Sequence, residues 1–476
     1  MNFTILDWTI IVGYLVFSVS AGLYGKRYVS GLQDFLVAGR GIGLYLGVAT
    51  LAATEIGTVT FMYYAELGYK TGFASFVNGL TAGGVMLAIG RTGIIVKRLR
   101  ELRLMTVPEF FQVRYSRNLR VLTGVLVATG GILNMGVFLK IEGTFLATIS
   151  GVPMEYLKAV MTGILLLELI YTVLGGMVAI VITDFIQFVA LALGTIVVTV
   201  LCIFAAGWSN MRDAVWTTMG SGGFDPILNP EYGWAYIAFQ ILLWLAMDTC
   251  WQTTAMRTFS ARDSEISRRV FTWTGFIFLG RGMMPMLWGI AALAMLGPGH
   301  DSLQAMPETL ARILPNGLRG IVVAGMLAAT MSVNSSYLLG WSAIIAQDIV
   351  MPLRRNPLSP RAQMILNRVT NLFVSLFVLF WGLWYTLPGP AYFYLNITAT
   401  IFLGGSLAAI VGGLYWSRAN ITGAYAAMLC GALGAVGFFF LKWPAAYAGL
   451  GAFAMAFAGM FVGSLLGKAK PVEVAQ

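Results

Sequence analysis

A chain of 476 residues that is 58% hydrophobic and 11% charged, with a mean hydropathy of +0.80, does not read as a soluble protein, because soluble globular chains carry about 25% charged residues. The single histidine and three cysteines supply no metal-ligand cluster, HExxH pattern or Ser-His-Asp set, which argues against an intramembrane enzyme. The net charge of +10 would suggest nucleic acid only if the basic residues formed one patch, and their spread over loops points elsewhere.

Apolar runs long enough to cross a hydrocarbon core of about 30 Å recur along the whole chain. They read as about thirteen spans at 6–25, 42–69, 71–96, 121–150, 154–174, 177–207, 233–256, 271–296, 318–347, 366–387, 390–416, 421–441 and 444–466. The first lacks a basic leader and a small-residue cleavage site, so it reads as retained rather than as a signal peptide. With the N-terminus outside, most basic residues fall in inner loops, Lys97, Arg98, Arg100, Arg103, Arg257, Arg354 and Arg355 among them. The outer side keeps Lys70, Lys158, Arg212, Arg312, Arg319 and Lys442. The positive-inside rule therefore predicts N-terminus out and C-terminus in, and a topological origin for the basic excess. Cys202, Cys250 and Cys430 are widely spaced within spans and read as small buried hydrophobes.

The expected organisation is one membrane domain over 1–476. It divides into an additional helix and inner loop (1–41), two five-helix units (42–207 and 233–416) and two C-terminal helices (421–466). Units with an odd number of spans are related by inversion across the membrane, an arrangement in which the first helix of each unit is broken at the midplane. The second span, with Gly57 among Thr54, Thr58 and Thr60, and the seventh, with "AMDTCWQTTAM", are candidates for such breaks. Threonine hydroxyls can meet the freed backbone groups, although close helix packing would use the same small residues.

Ionisable residues within spans mark solute or ion pathways by default. They are Glu55, Lys140, Glu142, Glu168, Asp184, Asp248 and Arg281. Lys140 and Glu142 are two positions apart on a helix and so face different ways. Arg281 reads as a salt-bridge partner, and Glu168 as reaching the inner interface. In the ninth span Ser332, Asn334, Ser335 and Ser336 crowd one turn; hydroxyl oxygens suit a small alkali cation, and small residues suit helix packing equally.

"DFLVAGRGIG", "TVPEFFQVRYSRNLR", "GGMVAIVITDFIQ", the serine-rich ninth span ending "QDIV" and "YWSRANITGAYAAMLCGALGA" occur in that order. In this order they resemble the sodium/solute symporter family, over about residues 6–442. The resemblance implies an all-α membrane protein with a LeuT-like five-plus-five core that takes up a solute with Na+ by alternating access. It implies a common sodium site from Ala53, Ile56, Ala329 and Ser332, in which Val333 replaces a customary hydroxyl residue. It implies a second sodium site at Thr60, Asp184, Ser335 and Ser336. Trp251, Gln252 and Arg257 look most similar to the choline-transporting branch, which has tryptophan where this chain has Glu55.

The resulting expectation is sodium-coupled import of a small organic cation or amine across a bacterial-type inner membrane. Glu55, Trp251, Gln252, Asp248 and Lys140 are the candidate solute residues. Aromatic faces and a carboxylate would both favour an ammonium group. Glu55 could instead help hold Na+, carry a coupling proton, or pair with Lys140. A proton-coupled or ion-independent carrier using Glu55 is the alternative. A sensor and a channel fit less well, the latter because no ring or filter of repeated ligands is present. The expected partners are the solute, Na+ and membrane lipid, not nucleic acid, in a monomer or weak oligomer.

Overall fold

The computed structural model describes residues 3–25, 28, 31–385 and 391–467. Within them the chain is helical apart from turns and one isolated backbone bridge. Helix α1 (Ile5–Gly25) precedes a short α2 (Leu32–Val37). The second expected span is divided into α3 (Leu44–Glu55) and α4 (Thr58–Thr71), and α5 (Phe76–Thr92) follows. Short helices α6 (Val96–Glu101) and α7 (Val107–Arg114) fill the next connection.

The fourth span is α8 (Arg117–Met135) plus α9 (Phe138–Ser150). The fifth and sixth are joined in α10 (Leu157–Ala206), which turns at Gly176 with φ 53° and ψ −153°. Glycine is needed there twice over: the φ is positive, and a Cβ would lie 2.4 Å from the Phe35 ring. The two long connections expected on the outer side carry α11 (Trp208–Met219) and, further on, α15 (Ala305–Ile313). Between them lie α12 (Gly233–Cys250), α13 (Gln252–Ser260) and α14 (Ser264–Leu296). Next come α16 (Leu318–Ile344), a π-helical turn at Ile345–Val350 and α17 (Met351–Leu353). The chain closes with α18 (Pro360–Trp384), α19 (Ala391–Tyr415), α20 (Ile421–Phe439) and α21 (Ala445–Leu466).

Among the described residues, 9 helical stretches are long and apolar enough to cross a membrane, with shorter apolar helices at Ile5–Ser18, Leu44–Glu55 and Ile421–Leu433. The expected thirteen are not reproduced one for one, because kinks and breaks join or divide the apolar runs. Polar layers are marked by caps: Asp263 accepts from the Ile266 amide at the start of α14, and Ser359 from the Ala362 amide at the start of α18.

Burial separates centre from periphery. The most apolar window of α16 is 89% buried, against 22% for Gly176–Ala206 and 33% for α18. Helix α16 is therefore the axis of the bundle, while Leu193, Phe204, Phe373 and Phe380 face outward where lipid would lie. Lipid is as apolar as leucine, so such helices associate through close packing. Helices α4 and α14 show it: a Cβ at Gly68 would meet the Met286 carbonyl at 2.1 Å, and one at Gly289 the Ala65 carbonyl at 1.8 Å.

The isolated bridge joins the entry to α3 with the exit from α13. The Ile42 amide donates to the Ser260 carbonyl (3.1 Å), and the Arg262 amide to the Ile42 carbonyl (2.9 Å). Arg100 clamps the same turn by donating to the Ala261 and Arg262 carbonyls. This cluster lies at the end of the bundle that the sequence assigns to the inner side.

Candidate solute and cation sites

Helix α3 stops at Glu55 because Ile56 (φ −112°, ψ 87°) and Gly57 (φ −108°, ψ 168°) leave helical geometry before α4 begins. Hydroxyls take up the freed backbone groups, as a break at membrane depth requires. Thr60 donates to the Glu55 carbonyl and accepts from the Gly57 amide, both at 3.3 Å. Thr58 donates to the Met326 carbonyl of α16 (2.6 Å), and Thr330 donates to Thr58 (3.0 Å). Helix α16 presses on the break so closely that a Cβ at Gly57 would lie 2.8 Å from Val333 Cγ2. A second break separates α12 from α13 at Trp251 (φ −71°, ψ 127°). Both spans chosen for their composition are broken.

The two breaks meet at Glu55. Its Oε1 accepts from Thr254 (2.8 Å) and Thr253 (3.3 Å) of α13. Glu55 lines a cavity of about 70 Å³ together with Thr60, Tyr63, Phe138, Trp244, Arg281, Val333, Tyr337 and Tyr392. Asn134 and Asn396 add amides to the wall. By the measure that one water needs 10–15 Å³, the cavity holds about five waters.

Of the residues selected from the sequence for the solute, Glu55 alone is in this lining. Trp251 is 1% exposed, with its ring stacked on Phe402 at 5.6 Å and edge-on to Trp341 at 5.2 Å. Its faces are spent on packing, and the cavity's aromatic wall comes from other residues. Gln252 accepts from the Val107 amide (2.9 Å), holding α13 to α7. Asp248 is buried outside the lining. Lys140 Nζ donates to the Tyr385 carbonyl (3.2 Å) and makes no ion pair with Glu55 or Asp248 among the described residues. Glu168 is fully buried rather than interfacial: it and Glu142 each accept from the Asn334 amide at 2.9 Å.

For the common cation site, Ala53 and Ile56 lie at the end of α3, where the Ala53 carbonyl accepts from the Ile56 amide (3.4 Å), and Ala329 and Ser332 lie on the neighbouring α16. The elements touch, since Thr54 and Ser336 hydroxyls are 3.4 Å apart. The Ser332 hydroxyl donates to Asp184 Oδ1, and Val333 supplies only methyl groups. Of these residues Ser332 alone offers a side-chain oxygen, fewer than a Ser-Ser or Ser-Thr pair would provide.

The expected second site is assembled only in part. Thr60 is held at the break and is not bonded to Asp184. Ser335 bonds back to the Ser332 carbonyl. The cation beside Asp184 is the guanidinium of Arg257, 3.2 Å from Oδ2, which also donates to Thr54 and to Ser336 (2.8 Å). Arg257 was assigned to an inner loop, yet it is 3% exposed inside α13. The expected span ended at residue 256, whereas the helix runs on to Ser260.

The aromatic wall and Arg281 are what sequence reasoning missed. Tyrosine, tryptophan and phenylalanine make up 13% of the chain, so nothing marked Tyr63 or Tyr392 out. Arg281 was visible as an intramembrane charge, but not as facing the same cavity as Glu55.

A family model described as "Sodium:solute symporter family" matches residues 35–431. The chain belongs to the sodium:solute symporter family. The sodium/glucose cotransporter of Vibrio parahaemolyticus is 26% identical over 462 residues, covering 88% of this chain and 82% of the relative. The sodium/pantothenate symporter of Escherichia coli is 26% identical over 449 residues, 88% of each. The sodium/proline symporter of Escherichia coli is 24% identical over 485 residues, 96% of this chain and 92% of the relative. A substrate-bound, outward-open Na+-coupled sialic acid symporter superposes with a TM-score of 0.84 at 18% identity, over 99% of this chain and 100% of the other. Mhp1, a nucleobase-cation-symport-1 family transporter, gives 0.56 at 13% identity, over 90% and 94%. These neighbours establish the LeuT-like fold for this sodium:solute symporter family member. It is a multi-pass membrane protein and a transporter, not an enzyme, from a family that couples solute movement to Na+.

Proposed function

We propose that this symporter imports a small organic solute bearing an ammonium group, together with Na+, across the inner membrane, with its N-terminus outside and C-terminus inside. The observation that carries the reading is Glu55: a carboxylate at the α3–α4 break, anchored through one oxygen by Thr253 and Thr254, in an aromatic-walled cavity. A carboxylate accepts charge-assisted hydrogen bonds from an ammonium group, and Tyr63, Trp244, Tyr337 and Tyr392 offer cation–π faces. Na+ takes the end of α3 and the middle of α16, through Ala53, Ile56, Ala329 and Ser332. Repeats 42–207 and 233–416 move against each other around the paired breaks.

The Val333 methyls and the Arg257–Asp184 pair favour a second reading, in which Na+ is dispensable and Glu55 carries a proton. The melting midpoint of the purified protein in Na+ against K+, across a panel of amines, amino acids and sugars, separates the two. Ligand binding to the folded state alone adds about 2.7 kcal/mol at a hundredfold excess over Kd. An ammonium-bearing solute whose shift requires Na+ and is lost in Glu55→Gln supports symport. A shift that follows pH and ignores Na+ supports the proton carrier. A panel in which only sugars bind overturns both.

A further inference from the structure

Resting on the reading of the cavity as the solute site, we infer that the solute is a zwitterion whose carboxylate is bound by Arg281 while its ammonium is bound by Glu55. Arg281 lines the same cavity as Glu55 and is 5% exposed. Its Nε and Nη1 have no hydrogen-bond partner. No carboxylate among the described residues lies within the 4.0 Å of an ion pair with it. Its guanidinium carbon instead sits 3.9 Å from the Phe278 ring centroid and 5.6 Å from that of Trp244. Ring faces hold the plane of the group but leave Nε and Nη1 unmet.

A buried cation without a paired anion is costly, and the cost falls when a hydrogen-bonded counter-ion arrives. The guanidinium fork matches a carboxylate by two parallel bonds, which a lysine ammonium cannot do. Glu55 and Arg281 therefore present opposite charges to one small space. A plain amine would satisfy Glu55 and add a second cation beside Arg281. A plain acid would do the reverse beside Glu55. A zwitterion meets both and leaves the net charge of the cavity unchanged. Room for about five waters restricts it to the size of a small amino acid in the conformation observed.

The test uses matched sets of probes in Na+: glycine, L-alanine, L-proline and β-alanine, each with its decarboxylated amine and its N-acetylated acid. Melting midpoint and inhibition of uptake into proteoliposomes are read for wild type, Arg281→Gln and Arg281→Lys. The lysine variant keeps the charge, and its ligand-free midpoint checks folding. The expected result is that one zwitterion binds at least tenfold more tightly than both its analogues. That preference over the amine collapses in Arg281→Gln and shrinks in Arg281→Lys, while affinity for the amine is unchanged or improved. An amine that binds as tightly as its parent zwitterion, with no effect of Arg281→Gln, overturns this inference and leaves the role of Glu55 intact. Tightest binding by the N-acetylated acid, or no binding by any probe, overturns both.

Discussion

Arg257 and Asp184 form an ion pair of 3.2 Å between the second broken helix and the long helix α10, with relative side-chain exposures of 1% and 0%. Thr50, Thr54, Ser332 and Ser336 complete its hydrogen bonds. Breaking a buried pair by removing one partner typically costs 3–5 kcal/mol, because the other charge is stranded. Arg257→Gln is expected to lower the melting midpoint sharply in K+, and less in Na+, because Na+ can then pair with Asp184. The double replacement Asp184→Asn, Arg257→Gln should recover much of the loss and abolish the Na+ dependence of that recovery. An Arg257→Gln midpoint equally depressed in both salts would show that the vacated space does not take Na+.

Val333 is the residue at which the common cation site lacks an oxygen. Val333→Thr adds a hydroxyl to α16 beside the α3–α4 break, and is expected to lower the Na+ concentration for half-maximal stabilisation by roughly threefold to tenfold, the worth of about one ordinary hydrogen bond. An unchanged Na+ titration would place the ion elsewhere.

Gly57 is packed against Val333 so that it cannot grow alone. Gly57→Ala puts a methyl 2.8 Å from Val333 Cγ2, and overpacking of this kind costs about 1–3 kcal/mol. The Gly57→Ala, Val333→Ala double variant should be more stable than the sum of the single effects, since the added and removed groups share one space. Strict additivity in thermal unfolding would contradict the close packing of α16 on the break.

Glu142 and Glu168 accept from a single amide, that of Asn334, and Asn334 Oδ1, Glu142 Oε1 and Glu168 Oε2 have no partner. Glu142→Gln removes one of two neighbouring acidic groups and adds an amide donor for the orphaned oxygens. Unlike most buried substitutions, it is expected to leave the melting midpoint unchanged or raise it. A fall of several degrees would mean that the site depends on both carboxylates.

Much of this was legible in the chain. Apolar run length gives membrane spans because a continuous helix satisfies its own backbone groups in hydrocarbon, and Gly57 with its flanking threonines marked the first break correctly. Glu55 stood out because charge is costly at that depth. What the sequence could not show was direction. Trp251 and Tyr63 are both aromatic residues next to a break, yet one ring stacks on Phe402 and the other faces the cavity. That choice is made by the packing of α16 and α19, which no local pattern encodes. Arg257 was misplaced for a related reason: an arginine at the edge of an apolar run reads as a loop charge, and here the charge is paired inside.

The bridge between Ile42 and Ala261 sets a condition on turnover. It ties the start of one broken helix to the end of the other by main-chain bonds from the Ile42 and Arg262 amides, and side-chain chemistry alone cannot loosen those. Any motion that separates these two points must break both bonds, so their strength adds to the barrier for that separation. Proline at position 262 has no amide hydrogen and would delete one of the two bonds, lowering that barrier while the Ile42–Ser260 bond remains.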